Sequence, residues 1–302
     1  MPVPVAIAVI GGGLIGAAWA ALLVHHGHAV AAFDPDPARR ADLGERVQRL
    51  RRQLQELSPD KAGALTICDD LAAALANVAV VLESAPERLD LKVSLLAEID
   101  ALAAPDAIIA TSTSSLLLSD MTRDCRLKSR YIVAHPFNPP HLMPLVELFG
   151  TDAVVLERAD VFFRNLGKVT IRLKKEVQGH IANRLGAALW QEAVHLVESG
   201  AAEVADIDAA LIHGPAMRWA VQGTHLTYHL GGGSGGIRHY LDHLGPSQER
   251  RWASLGKVQL TADVKKLLID GIEREANGRS VADLEAERDR FLIDLLKLRD
   301  HL

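Results

Sequence analysis

The stretch VPVAIAVIGGGLIG, residues 3–16, decides how the rest of the chain reads. An apolar run meets a glycine cluster at once, and AAWAALLVHHGH (17–28) follows with helical apolar spacing. That order predicts strand, glycine turn, helix. Gly11, Gly13 and Gly16 complete the spacing GxGxxG. The first glycine permits a tight turn, the second lets a pyrophosphate approach the backbone, and the third lets helix and strand pack closely. The phosphates would sit on the helix N-terminus, over Leu14 and Ile15. A second strand, AVAAF (29–33), ends at Asp34, eighteen residues beyond Gly16. An acidic side chain there accepts hydrogen bonds from the adenosine ribose hydroxyls and repels a 2′-phosphate, which favours NAD over NADP. Arg39 and Arg40 follow closely and read as a solvated helix face.

Further strands are predicted at ALTIC (64–68), VAVVLE (78–83), AIIAT (107–111) and YIVAH (131–135), each separated by a helical segment. Alternating strands and helices imply an α/β fold with a Rossmann-type, doubly wound, mostly parallel sheet. No strand pattern continues beyond residue 173, and from Gln178 onward the spacing is helical. The expected organisation is therefore an NAD-binding domain over 1–177 and an all-α domain over 178–302. The glycine-rich segment 231–236 reads as a flexible loop between helices.

At 302 residues with 49% apolar content, the chain is long enough for two domains with sizeable cores. A net charge of −5 without long like-charge blocks gives no reason to expect nucleic acid or an anionic membrane as partner. The opening apolar run has no basic stretch before it, so a secretory signal is not expected. No segment reaches transmembrane length free of charge. Cys68 and Cys125 stand alone, which argues against a metal site and fits a reducing cytoplasm.

The segment HPFNPPHLMPLVELFG (135–150) is hard to explain as packing. A strand-like run ends on His135, passes through Pro136, Pro139 and Pro140, and enters a second apolar run that contains Glu147. Proline lacks an N–H and fixes φ, so the segment reads as strand, shaped loop, strand. Such a turn presents His135 and Asn138 at one strand end while Glu147 arrives from the neighbouring strand. Glu87, Lys92 and Ser114 stand at other strand ends, where ligands of doubly wound sheets bind.

Together VIGGGLIG, ESAPERLDLK, TSTSSL, VAHPFNPPHLMPLVEL and GHIANRL resemble the 3-hydroxyacyl-CoA dehydrogenases, in the branch that includes enzymes of free gulonate and carnitine. The likeness covers nearly the whole chain. It implies that His135 is the catalytic base and Glu147 its partner. Ser114, Asn138 and Asn183 become substrate or transition-state contacts, and Glu87 and Lys92 cofactor-site residues. Oxidising a secondary alcohol with NAD requires a base for the hydroxyl proton, and imidazole suits that task. The segment 35–63 is shorter than in acyl-CoA members, and His180 replaces the usual aromatic before the Asn-Arg pair. GPAMRWA (214–220) resembles the free-acid branch, which implies that Arg218 grips a carboxylate. The expected activity is NAD-dependent oxidation of a small L-3-hydroxy acid. A thioester substrate and a non-catalytic NAD-binding role are the alternatives. The resemblance also implies a homodimer joined through the helical domain.

Overall fold

A computed structural model of the chain describes residues 6–299; residues 3–5 of the opening run and the final three residues lie outside them. The first half runs β1 (Ala6–Ile10), α1 (Leu14–His25), β2 (Ala29–Phe33), α2 (Pro37–Gln55), β3 (Ala64–Ile67), α3 (Leu71–Leu75), β4 (Val80–Glu83), α4 (Leu89–Leu102), β5 (Ile108–Thr111), α5 (Leu118–Met121), β6 (Tyr131–Pro136), β7 (Leu145–Gly150), α6 (Ala153–Asn165) and β8 (Val169–Arg172). Helices then follow as α7 (Ala182–Glu198), α8 (Val204–His213), α9 (Pro215–Trp219), α10 (Thr224–Gly231), α11 (Gly236–Ser254), α12 (Ala262–Ala276) and α13 (Val281–Arg299). Among the described residues no helix is long and apolar enough to cross a membrane.

The eight strands form one sheet in the order β3-β2-β1-β4-β5-β6-β7-β8. Neighbours are parallel except at β6 and β7, which are antiparallel, so the last two strands run against the first six. Strand residues alternate between two apolar layers, as the two-residue period of a strand dictates. Ile7, Val9, Val30, Leu82, Ile132 and Leu148 pack with α1, α2 and α6. Ala8, Ile10, Val81, Ile109 and Val133 face α3, α4 and α5 on the other side. Helix α1 is buried from Gly16 to His25. It lies between the sheet and α2, so it needs no polar stripe. Full burial of a large side chain such as Trp19 stabilises the fold by roughly 1.5–3 kcal/mol.

The chain divides into two compact units, one running to Asn183 and resuming at Glu287, the other Arg184–Ala286. The boundary expected at 177/178 falls six residues before Asn183. The end of α13 associates with the first unit through Gln53 Nε2, which donates to Asp289 Oδ2 at 3.1 Å, and through Lys297, 3.5 Å from Glu56. Hydrophobic periodicity cannot reveal such a return.

Within the second unit the described buried apolar side chains are Val194, Val204, Ile207 and Val264, while Trp190, Trp219, Leu230, Leu241 and Trp252 are exposed. The segment 231–236 departs from the expected flexible loop. Residues Gly233–Gly235 form a 3-10 turn that passes directly into α11. A Cβ at Gly232 would lie 1.8 Å from the Gly236 carbonyl oxygen, and one at Gly236 would lie 2.6 Å from the His229 ring. These glycines let α10 and α11 pack at close range.

Candidate active site

The glycine turn has the geometry that its spacing predicts. Gly11 has φ +100°, and a Cβ there would sit 2.6 Å from the Ser84 carbonyl oxygen. A Cβ on Gly16 would meet the Gly11 carbonyl at 1.8 Å, so β1 and α1 can touch only if this residue is glycine. At Gly13 the added atom would enter open space. No side chain caps α1, which leaves its first amides available to an anion. A cavity of about 820 Å³ opens over Gly13, Leu14 and Ile15 and extends past Ser112 and Ser114 to His135, Asn138 and Asn183. A second cavity of about 550 Å³ shares Arg39, Ser84, Ala85 and Pro86 and is lined by Gly11, Asp34, Leu91 and Leu95. The open cradle at Gly13, the uncapped amides and the acid at Asp34 fit a dinucleotide.

Asp34 follows β2 and is buried. Its Oδ2 accepts the Gly12 N–H at 2.7 Å and its Oδ1 the Asp36 N–H at 2.9 Å, so the carboxylate is fixed in orientation. Arg39, half exposed, comes to 4.0 Å of Asp34. Arg40 turns back onto the Asp34 carbonyl at 2.7 Å. Arg46, which sequence reading did not single out, donates to the Gly12 carbonyl and lines the larger cavity.

Glu87 lines the larger cavity, and Lys92 lies beneath it. Lys92 is buried at 1% exposure and lines neither cavity; its ammonium donates to both oxygens of Glu83 at 2.7 and 2.9 Å. Glu83 is fully buried, and it also accepts from Thr111 Oγ1 and from the Ala85 N–H at 2.7 Å. Neither Glu83 nor Thr111 was picked out from sequence, although an acid closing an apolar strand was the available signal. Glu87 Oε1 accepts from Thr113 Oγ1 at 2.7 Å and from the Ser114 and Ser115 amides at 2.8 Å each. The Ser114 hydroxyl donates to the same oxygen at 3.1 Å. Burial raises the affinity of Glu87 for a proton, but Thr113, Lys92 and the Ser115 and Ser114 amides outweigh it and hold the carboxyl below its ordinary range. The turn TSTSSL is thus pinned by an anion that itself faces the cavity.

His135 and Glu147 stand opposite each other in the β6–β7 register. His135 Nδ1 lies 2.7 Å from Glu147 Oε2, and both groups are buried. The other oxygen of Glu147 accepts the Ile181 and Ala182 amides at 2.9 and 3.1 Å, at the start of α7. Burial pushes the Glu147 carboxyl upward, yet the His135 hydrogen bond and these two amides leave it lowered on balance. His135 lines the cavity, and a tautomer that donated Nδ1–H to the carboxylate would carry its lone pair on Nε2. Asn183 Nδ2 is 3.5 Å from that nitrogen and donates to the Ser114 carbonyl at 3.2 Å.

Two rings flank His135, Phe137 at 5.3 Å and His180 at 4.9 Å between centroids. His180 has φ +50° and bonds through Nε2 to the Thr113 carbonyl at 3.1 Å. Burial and the neighbouring His135 lower its pKa against the raising effect of that bond. Arg218 and Trp219 lie on α9 in the second unit, both exposed. Among the described residues no group of three or more His, Cys, Asp or Glu could hold a metal, and Cys68 and Cys125 are free and buried.

Replacing Asp34 with serine should weaken NADH binding by about ten- to a hundredfold, the scale of a charged hydrogen bond, while the ratio of NADPH to NADH affinity rises. Titration of NADH and NADPH fluorescence measures both; an unchanged ratio would show that the discrimination lies elsewhere.

Residues 6–177 match 3-hydroxyacyl-CoA dehydrogenase, NAD binding domain, and residues 179–262 match 3-hydroxyacyl-CoA dehydrogenase, C-terminal domain. The chain is 43% identical to an L-carnitine dehydrogenase of Streptomyces coelicolor over 98% of this chain and 95% of that protein. It is 40% identical to an L-carnitine dehydrogenase of Pseudomonas aeruginosa over 96% and 92%. Among solved structures, a 5-formyl-3-hydroxy-2-methylpyridine 4-carboxylic acid 5-dehydrogenase, an NAD+ dependent dismutase, superposes with a TM-score of 0.85 at 25% identity, covering 98% of each chain. A (S)-3-hydroxybutyryl-CoA dehydrogenase from Ralstonia eutropha gives 0.62 at 25% identity over 69% of this chain and 77% of that one. The glycine turn, the aspartate after β2 and the relatives agree on cofactor and class: the chain belongs to the 3-hydroxyacyl-CoA dehydrogenase family and is an NAD-dependent dehydrogenase.

Proposed function

We propose that the protein oxidises the 3-hydroxyl of a small L-3-hydroxy acid, with L-carnitine the first candidate, to the 3-oxo acid. The observation that carries this reading is that His135 lines the cavity with Nδ1 2.7 Å from the buried Glu147 carboxylate and Nε2 3.5 Å from Asn183. NAD, when bound along the glycine turn, supplies the acceptor for the hydrogen on the substrate carbon. His135 takes the hydroxyl proton at Nε2, while Glu147 keeps Nδ1–H in place and stabilises the imidazolium. Asn183, beside Nε2, donates to the substrate oxygen as charge develops there. In reverse, the imidazolium returns its proton to the forming alcohol. Phe137 offers an aromatic face of the kind that receives quaternary ammonium groups, which supports carnitine over gulonate. In this reading Glu87 acts by holding the Ser114 turn against the cofactor, and Arg218 is assigned to the substrate carboxylate on the resemblance of GPAMRWA to the free-acid branch alone. Lys92 acts only through Glu83 and Glu87.

His135→Gln and Glu147→Gln should each slow turnover by roughly a hundredfold or more while NADH binding stays within a few-fold. Near-normal kcat in the first variant would end the mechanism.

The substrate assignment is tested with carnitine, gulonate, 3-hydroxybutyrate and 3-hydroxybutyryl-CoA. Carnitine should have the highest kcat/KM, and Arg218→Met should lower it by about ten- to a hundredfold. Turnover of the thioester alone would put the acyl-CoA reading first, and tight NADH binding without turnover of any would favour a non-catalytic role.

The second unit exposes three tryptophans over very few buried apolar side chains, an arrangement that a second copy would cover. Light scattering should give a homodimer at micromolar concentration, and a monomer would contradict it.

A further inference from the structure

Lys168 precedes β8 and is buried, yet no part of the proposed reaction uses it. Its Nζ donates to two carbonyl oxygens of the proline loop, Pro140 at 2.5 Å and Met143 at 3.0 Å, and lies 5.8 Å from the centre of the Trp19 ring. Burial brings its pKa down to about 7, and among the described residues no carboxylate forms an ion pair with it. A methionine would fill the same space without the cost of burying an amine. What the amine adds is donors. Charged or neutral, it carries at least two N–H groups for the two carbonyls.

Those carbonyls sit where the loop needs a partner. Pro139, Pro140 and Pro144 have no N–H to give. The loop's internal bonds run from the Leu142 and Met143 amides to the Pro139 carbonyl, at 3.0 and 2.9 Å. On another side His141 Nε2 meets Gln53 Oε1 at 2.6 Å, tying the loop to α2. The loop begins just after His135 and ends just before the strand that carries Glu147. Its shape therefore sets how these two side chains meet.

We propose that Lys168 is a positioning residue: by donating to the Pro140 and Met143 carbonyls it fixes the loop that holds His135 against Glu147 and aims Nε2 into the cavity. The proposal rests on the reading of His135 as the base. Lys168 touches neither cavity, so its loss should be felt in the chemical step and not in cofactor binding.

The test compares Lys168→Met with Lys168→Gln, whose amide keeps N–H donors on a shorter side chain. In the full-length protein, Lys168→Met should lower kcat for the preferred hydroxy acid at least tenfold, with KM changed less than threefold and NADH affinity within twofold. Lys168→Gln should recover part of the loss. Hydrogen exchange followed by mass spectrometry should show faster exchange across residues 137–145 in Lys168→Met, with β1 and β4 unchanged. A kcat within twofold of the parent in Lys168→Met overturns the proposal, as does an unaltered exchange rate in the loop. If Lys168→Met does not fold, Lys168→Leu, which also lacks N–H donors, decides by the same two measures. Should the parent turn over no hydroxy acid, the functional reading fails separately, and the exchange measurement still decides whether Lys168 holds the loop.

Discussion

The one antiparallel pairing in the sheet, β6 against β7, sets up everything at the site. A wholly parallel sheet would bring its next strand back through a helical crossover, and the residue beside His135 would come from far along the sequence. The proline loop reverses the chain instead, so an acid twelve residues away in sequence lies opposite His135 in register. Because Glu147 is also gripped by the first amides of α7, one buried carboxylate joins two strands and a helix start. A hydrogen bond to a charged group typically contributes about 1.5–3 kcal/mol, so the geometry of His135 is tied to the stability of this corner.

A second buried carboxylate organises the neighbouring edge. Glu83 at the end of β4 ties β5 through Thr111 and α4 through Lys92. Its neighbour Glu87 then holds the Thr113–Ser115 turn. The two acids divide the work, one inside the fold and one facing the cavity. Hydrogen bonds from Thr113 and the turn amides, with Lys92 nearby, favour the anionic form of Glu87 against the cost of its burial.

Features set by short-range spacing were legible in the sequence. The glycine turn is one, because positive φ at Gly11 and contact at Gly16 are local demands that only glycine meets. Asp34 is another, since a strand end after a glycine turn falls at a nearly fixed distance. The strands, and the opposition of His135 and Glu147, followed from apolar runs on either side of prolines. What escaped depends on packing between distant segments. Nothing local says that the Lys92 ammonium turns inward to Glu83, or that Ser114 points its hydroxyl at Glu87. The glycines at 231–236 look the same in sequence whether they permit motion or close approach. Likewise, Lys168 reads as an ordinary surface cation until two proline-loop carbonyls are seen around it.

The full commitment of the Glu147 oxygens has a consequence for traffic through the site. With one oxygen on His135 and the other on two backbone amides, this acid is walled off from solvent and cannot relay a proton onward. In the proposed reaction the imidazole then has a single door, Nε2, and the proton that enters there must leave by it. In that reading, product and proton leave through the same cavity.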